Sequence, residues 1–402
     1  MACPLPVVDL GAFLKGPDTA AGRAEAIKVP LLPLLSANPR LPISPAWQTA
    51  QALIEYGALI VNPGGSSNDV EEANDRFLNV IEDYFAQPKE KLEEDLRPEV
   101  HYQVGVTLEN TEKPKCHSFD PCKRVIASLD PTERPLDLEG GKADPKCRFF
   151  HRMGRTPPRT DFPSLRMENV TPKAFSATWE NAMEEWGTII KSAVEGVSEM
   201  LSVGLELPQK TLVEAGEYGS HLLAPTATDL AKYGQVGEIF AGFHTDLNFL
   251  TIHGRSRFPG LHIWARNTGR RINVTLPKGH LLVQAGKQLE HFTGGLILAG
   301  YHEVVCTEAT VAVLQARLAN PSTASRPQIR ISSTFFYHLS SDYTLSPQQF
   351  YKQAAENKLV QEEVKRLQAT GEKWDVDQYD EGMKVGTLVQ EELKHIALHA
   401  KA

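Results

Sequence analysis

Cysteine is scarce in this sequence, with five in 402 residues. An odd, sparse set does not make a disulfide scaffold and points to a reducing, cytoplasmic setting. Basic excess is missing too: Lys and Arg number 42 against 50 Asp and Glu, a formal net charge of −8. That excludes a general nucleic-acid binder, which needs a cationic face. No apolar run is long enough to span a bilayer, so no membrane partner is expected. The first residues carry no basic leader segment, and Asp9 interrupts the first apolar run. Internal repeats and low-complexity tracts are absent as well. What is present, 41% apolar and 23% charged residues, is the composition of a soluble globular protein.

The chain divides by pattern into three parts. Residues 1–165 read as an α/β region. It has a short strand at Val7–Leu10, a Pro- and Ala-rich insertion over 17–45, a helix over Ala46–Tyr56 and a buried strand at Ala58–Val61. A further helix runs from Ser67 to about Phe85. Periodicity is lost between 100 and 165. Lys113–Arg159 holds 11 Lys and Arg against 6 Asp and Glu, a basic stretch in an acidic protein. It reads as a solvated loop or as a lid that meets an anionic ligand. Residues 166–345 begin with a long helix whose apolar face is Trp179, Met183, Trp186, Ile189, Ile190, Ala193, Val197 and Leu201. Short strands at 249–253, 261–264, 272–274, 280–283, 302–306 and 329–337 follow, the spacing of a sandwich or barrel. Residues 346–402 are charged and helical and read as a solvated cover or a dimer surface. Oligomeric state is open.

Three features of the β region carry chemistry: His244-Thr245-Asp246, His302, and Arg330-Ile331-Ser332. Two imidazoles and a carboxylate can occupy one face of an octahedral metal and leave the opposite face open. An H-x-D tripeptide suits a strand end because residues two apart point the same way, so the third ligand comes from a neighbouring strand. A lone H-x-D arises by chance in a chain with 13 histidines, and the ordered set around it is what gives it weight. Cys116, His117, Cys122, Cys147 and His151 are also ligand types, but their spacing is not that of a zinc knuckle and they read as ordinary loop residues. His253, His262, His280 and His291 read as structural, His291 being nearest the strand of His302. Arg148, Arg152 and Arg155, beside Phe149-Phe150, and Trp264 are the candidate substrate contacts. The alternatives are a solvated basic face for the arginines and core packing for Trp264.

Phe243-His244-Thr245-Asp246, Leu250-Thr251-Ile252, Pro259-Gly260-Leu261, Asn273-Val274, Gly286-Lys287-Gln288-Leu289-Glu290, His302-Glu303-Val304 and Arg330-Ile331-Ser332 follow one another in order. With Leu5-Pro6-Val7-Val8-Asp9-Leu10 and Gly57–Asn62, this set resembles the isopenicillin-N-synthase-like branch of the Fe(II)/2-oxoglutarate-dependent dioxygenases over roughly residues 3–345. The resemblance implies a mixed α/β fold with a mainly β core, a double-stranded β-helix or jelly roll with flanking helices. It implies Fe(II) held by His244, Asp246 and His302, and 2-oxoglutarate held at Arg330 and Ser332. It implies dioxygen as co-substrate, with oxidation of a small molecule, hydroxylation by default, and release of succinate and carbon dioxide. Departures from the pattern are Leu247-Asn248 after the H-x-D, Lys287 in place of an acid, and no tyrosine in Leu222-Leu223-Ala224-Pro225. Arg330 lies 28 positions after His302, longer than the family's interval, so Glu308–Arg326 reads as an insertion that either caps the barrel mouth or is inert. Four rivals stay open. They are an iron oxidase whose own substrate carboxylate sits at Arg330, an ethylene-forming reaction on 2-oxoglutarate, a cupin-like hydrolase or isomerase, and a non-catalytic jelly-roll binding protein.

Overall fold

The computed structural model describes residues 5–14, 44–100, 102–113, 120–138, 142–369, 379 and 381–395. The Pro- and Ala-rich insertion falls almost wholly outside them, as do Cys116 and His117. The strands are β1 (Val7–Asp9), β2 (Ala58–Asn62), β3 (Gly105–Thr107), β4 (Cys147–Arg152), β5 (Leu222–Asp229), β6 (Ile239–His244), β7 (Leu250–His253), β8 (Leu261–Trp264), β9 (Arg271–Asn273), β10 (Leu281–Ala285), β11 (Tyr301–Val305) and β12 (Ile329–Tyr337). Among the described residues they form an eight-stranded sheet, β1-β2-β10-β7-β12-β5-β4-β3, and a four-stranded sheet, β6-β11-β8-β9. All pairings are antiparallel except β1 with β2. This is the jelly-roll core that the sequence resemblance implies.

Strand periodicity decides what faces the interior. In β2, Leu59 and Val61 pack on the helical side, while Ala58 and Ile60 pack between the sheets with Leu282, Ile263 and Ile272. Because both faces are covered, β2 reads as an unbroken apolar run. The same alternation sorts the strands that matter for function. Ile329, Ile331, Phe335 and Tyr337 of β12 face the helices, so Arg330, Ser332 and Thr334 face the barrel interior. Leu250 and Ile252 of β7 face the helices, which turns Thr251 and His253 inward.

The helices Pro45–Tyr56, Ser67–Phe85 and Trp179–Gly204 bury apolar stripes against the outer face of the large sheet. Pro45–Tyr56 starts at Ser44, whose hydroxyl accepts from Trp47 N at 3.3 Å, with Pro45 in the first turn. It stops at Gly57, whose φ of 68° is the left-handed cap that favours glycine. Trp179–Gly204 carries the predicted stripe, fully buried at Trp179, Met183, Trp186, Ile190 and Val197 and half-buried at Ile189.

Two regions differ from the sequence reading. Among its described residues, the stretch around 100–165 is not solvated loop throughout. It supplies β3 and β4 to the large sheet and the helix Asp120–Ser128, and it buries Phe149 and Phe150. Residues 1–165 therefore form no sheet of their own. Glu308–Ala319 is a helix with a Thr307/Thr310 capping box, and its Leu314 packs with Leu230, Phe240 and Phe258. It contributes no residue to the cavity at His244. Instead, Thr310 Oγ1 donates to the Pro259 carbonyl at 3.2 Å, and the same carbonyl accepts from Arg330 Nε at 3.3 Å. The insertion helix thus buttresses the Arg330 side of the barrel.

Candidate active site

His244 ends β6, and β11 sets His302 directly opposite it in antiparallel register. Asp246 follows in the turn leaving β6. Its carbonyl accepts from Lys287 N at 2.8 Å. Gly286 lies against this turn, where a Cβ would collide with the Asn248 carbonyl, so the close approach requires glycine. Ligand-type atoms of His244, Asp246 and His302 lie within 4.8 Å of one another. Both imidazole Nε2 atoms are 3.8 Å from Asp246 Oδ1.

Neighbouring groups orient these side chains. His244 Nδ1 lies 2.6 Å from the Gly242 carbonyl, which fixes the Nδ1–H tautomer and leaves the Nε2 lone pair facing the centre. Asp246 Oδ2 accepts from Thr251 Oγ1 at 2.6 Å, leaving Oδ1 toward the histidines. Burial and then the neighbouring His302 push His244 down to about 3, so it is neutral. Burial alone would raise Asp246, but His302, His244 and the Thr251 hydroxyl outweigh it and hold the carboxyl below its usual range. A neutral imidazole beside an ionised carboxylate is the protonation pattern of a metal site, and two His and one Asp suit Fe(II). Among the described residues no other group of His, Cys, Asp or Glu is arranged to hold a metal.

Arg330 is 5% exposed, and no acid pairs with it among the described residues. Its Nη1 donates to Ser332 Oγ at 2.8 Å and its Nε to the Pro259 carbonyl. Burial pushes it down to about 10, which still leaves it charged at neutral pH. An unpaired buried guanidinium is costly, and an incoming carboxylate matches its two-pronged donors. Arg330, Ser332 and His253 line one cavity. His244 and Asp246 line another, together with Glu112, Asp144, Lys146 and Arg148.

The remaining sequence candidates fall elsewhere. Arg152 shares the inward face of β4 with Arg148 and Phe150 but lies beyond the second cavity, with Nη2 donating to Thr156 Oγ1 at 3.0 Å. Arg155 is exposed and pairs with Glu217 at 3.3 Å. Trp264 is buried with Phe243 and the helix Asp120–Ser128, and its Nε1 donates to the Glu133 carbonyl at 2.6 Å. His262 pairs with Glu303 at 3.0 Å, His280 is outside both cavities, and His291 packs against Tyr379. Lys287 pairs with Glu290 at 2.8 Å. Against the expectation of a reducing setting drawn from the sparse cysteines, Cys122 is disulfide-bonded, while Cys147 and Cys306 are free thiols.

Sequence reasoning missed His338, which lines the cavity and accepts at Nδ1 from Gln288 Nε2 at 2.9 Å. It also missed Val389 and Leu393. The C-terminal helix Val385–His395 was expected to be a cover or dimer surface, and these two residues bring its apolar side to the cavity.

Residues 226–339 match the family model of the 2OG-Fe(II) oxygenase superfamily. The chain carries a 2OG-Fe(II) oxygenase domain. The enzyme is accordingly a non-haem Fe(II) dioxygenase that uses 2-oxoglutarate and dioxygen. A full-length Neurospora crassa protein crystallised in complex with alpha-KG superposes with a TM-score of 0.63 at 15% identity, covering 97% of this chain and 96% of that one. The same fungal protein with alpha-KG and thymine gives 0.62 at 16%, covering 97% and 96%. A Caulobacter crescentus protein assigned to the 2OG-Fe(II) oxygenase family gives 0.60 at 18%, covering 98% and 100%. At these identities the likeness is one of fold. A search of the curated proteins gives no match. Among the described residues, no helix of this oxygenase is long and apolar enough to cross a membrane.

The barrel also fixes how the enzyme responds to acid. Burial holds His253 and His338 down to about 3, and it holds His221 well below the ordinary value. In the unfolded chain these groups bind protons below about pH 6.5. Since the folded pKa is depressed, stability is fully present above pH 6.5 and falls as pH drops toward 3. The expected slope is at most about 1.4 kcal/mol per pH unit for each histidine. Urea midpoints between neutrality and pH 5 check this. A midpoint that rises on acidification would contradict it.

Proposed function

We propose that the chain oxidises a small molecule, by hydroxylation, in the cavity beside His244, with succinate and carbon dioxide released from 2-oxoglutarate. Its sequence motifs support a position in the isopenicillin-N-synthase-like branch. The observation that carries this reading is Arg330: a buried guanidinium without an acid partner, with Ser332 beside it, inside the barrel that brings His244, Asp246 and His302 together.

In this reading His244, Asp246 and His302 hold Fe(II), and Arg330 with Ser332 holds the distal carboxylate of 2-oxoglutarate. Bound iron supplies dioxygen activation coupled to decarboxylation of the co-substrate. The protein supplies the rest. The Gly242 carbonyl keeps His244 in the ligating tautomer, and Thr251 holds one oxygen of Asp246 so that the other faces the histidines. Phe150, Leu222, Leu247 and Phe336 exclude water from the substrate side.

The test is succinate release from 2-oxoglutarate in the presence of Fe(II) and dioxygen. It should be measurable in wild type and fall to background in Asp246→Ala. Activity that survives Asp246→Ala would overturn the reading. Thr251→Val removes the hydrogen bond to Asp246, along with the contact to Asn248 Oδ1, and should weaken Fe(II) binding about 10- to 100-fold. Equilibrium metal titration checks it, and unchanged affinity would remove Thr251 from the account.

A further inference from the structure

The cavity beside His244 has one apolar wall and one ionic wall. Phe150, Leu222, Phe336, Val389 and Leu393 make up most of the apolar wall. The ionic wall is a closed quartet. Lys146 Nζ lies 3.2 Å from Glu112 Oε2 and 2.5 Å from Asp144 Oδ2, and Arg148 Nη1 lies 3.2 Å from Glu112 Oε2. Arg148 Nε donates to Thr226 Oγ1 at 3.0 Å, and its guanidinium lies over the Phe150 and Phe336 rings. Asp144 Oδ1 accepts from Gly242 N at 3.0 Å, which ties the quartet to the strand that carries His244. All four side chains are at most 13% exposed.

Both cations are paired. Against burial, Arg148 and Lys146 hold Glu112 below the usual carboxyl range, so it is an anion between them, while burial pushes the Asp144 carboxyl beside Lys146 up. The basic excess of 113–159 is therefore not transmitted to the cavity, since Lys146 and Arg148 are neutralised within it and Arg155 pairs outside it. Lys113, the remaining cation on this wall, is exposed and screened. A carboxylate entering here would have to compete with the Glu112 carboxylate that already pairs with both Lys146 and Arg148, and like charges at such range are strongly penalised. A neutral polar group meets no such penalty. It can accept from a Lys146 or Arg148 N–H and donate to a carboxylate lone pair, while its hydrocarbon part lies on the apolar wall.

We propose that this cavity selects an uncharged compound that offers both a hydrogen-bond donor and an acceptor over its carboxylate-bearing analogue. Glu112 is its specificity-determining residue, excluding carboxylates by neutralising Lys146 and Arg148. The inference rests on the reading of this cavity as the substrate site. It replaces the anionic substrate expected from sequence.

The test uses anaerobic protein loaded with Fe(II) and 2-oxoglutarate, titrated calorimetrically with two matched probe pairs: uracil with orotate, and benzamide with benzoate. In wild type the neutral member of at least one pair should bind about tenfold or more tightly than its acid. Glu112→Gln should narrow that gap by about tenfold through a gain in acid affinity, and Lys146→Gln should widen it. Circular dichroism confirms that each variant is folded, and either variant alone decides the direction. Equal or tighter binding of the acids in wild type overturns the inference. So does an absence of binding by both neutral probes, or a gap that neither variant moves. The visible band of the Fe(II)–2-oxoglutarate complex before any probe is added reports the metal and co-substrate reading. The calorimetric ratio reports this one, so the two fail separately.

Discussion

Replacing Arg330 by alanine is expected to raise the 2-oxoglutarate concentration needed for half-saturation by between about 30-fold and a few thousand-fold. Truncating one partner of a buried, hydrogen-bonded charge pair costs about 2–5 kcal/mol, and each 1.4 kcal/mol is tenfold. The high end of the range is favoured by burial: Arg330 is 5% exposed, and no carboxylate among the described residues competes for it. Arg330→Lys keeps the charge but loses the planar fork, so it should fall between wild type and alanine. Calorimetric titration of 2-oxoglutarate into Fe(II)-loaded protein measures all three. An unchanged affinity in Arg330→Ala would place the co-substrate elsewhere and reopen the rivals in which Arg330 has another partner.

His302→Ala should abolish stoichiometric Fe(II) binding, an effect larger than the 10- to 100-fold expected from the outer hydrogen bond of Thr251. The reason is geometric. β11 places His302 across from His244, and without it only two of the three ligand-type side chains remain on that face. The fold should survive, because the β11 backbone pairs with β6 and β8 whatever the side chain. A thermal melt separates loss of metal from loss of structure. Tight one-to-one iron binding by a folded His302→Ala protein would contradict the assignment of the three ligands.

Much of this was legible in the sequence where one residue type does one job at a fixed period. The helix Trp179–Gly204 showed itself through its apolar stripe, whereas the role of Arg330 and Ser332 came from the family resemblance, and the structure then sets both on one strand face. The grouping of His302 with His244 and Asp246 could be guessed only from order, since 56 positions separate it from Asp246. The quartet was hidden because net charge counts Lys146 and Arg148 as excess, while Glu112 and Asp144, which pair with them, are scattered among loop residues. β3 is only three residues long and shows no period, so the stretch around it read as loop. Trp264 illustrates the limit of strand reasoning: a shift of one residue moves a side chain to the opposite face, and here it points to the helix Asp120–Ser128. Val389 and Leu393 were masked by the charged composition of the tail.

The central claim is that one barrel holds iron at His244, Asp246 and His302 and 2-oxoglutarate at Arg330. The most direct measurement is an anaerobic titration of metal-free protein with Fe(II) and then 2-oxoglutarate, followed by visible absorption. A metal-to-ligand charge-transfer band should form in wild type, vanish in His302→Ala, and require far more 2-oxoglutarate in Arg330→Ala. Iron bound by wild type with no such band at saturating 2-oxoglutarate would contradict the account.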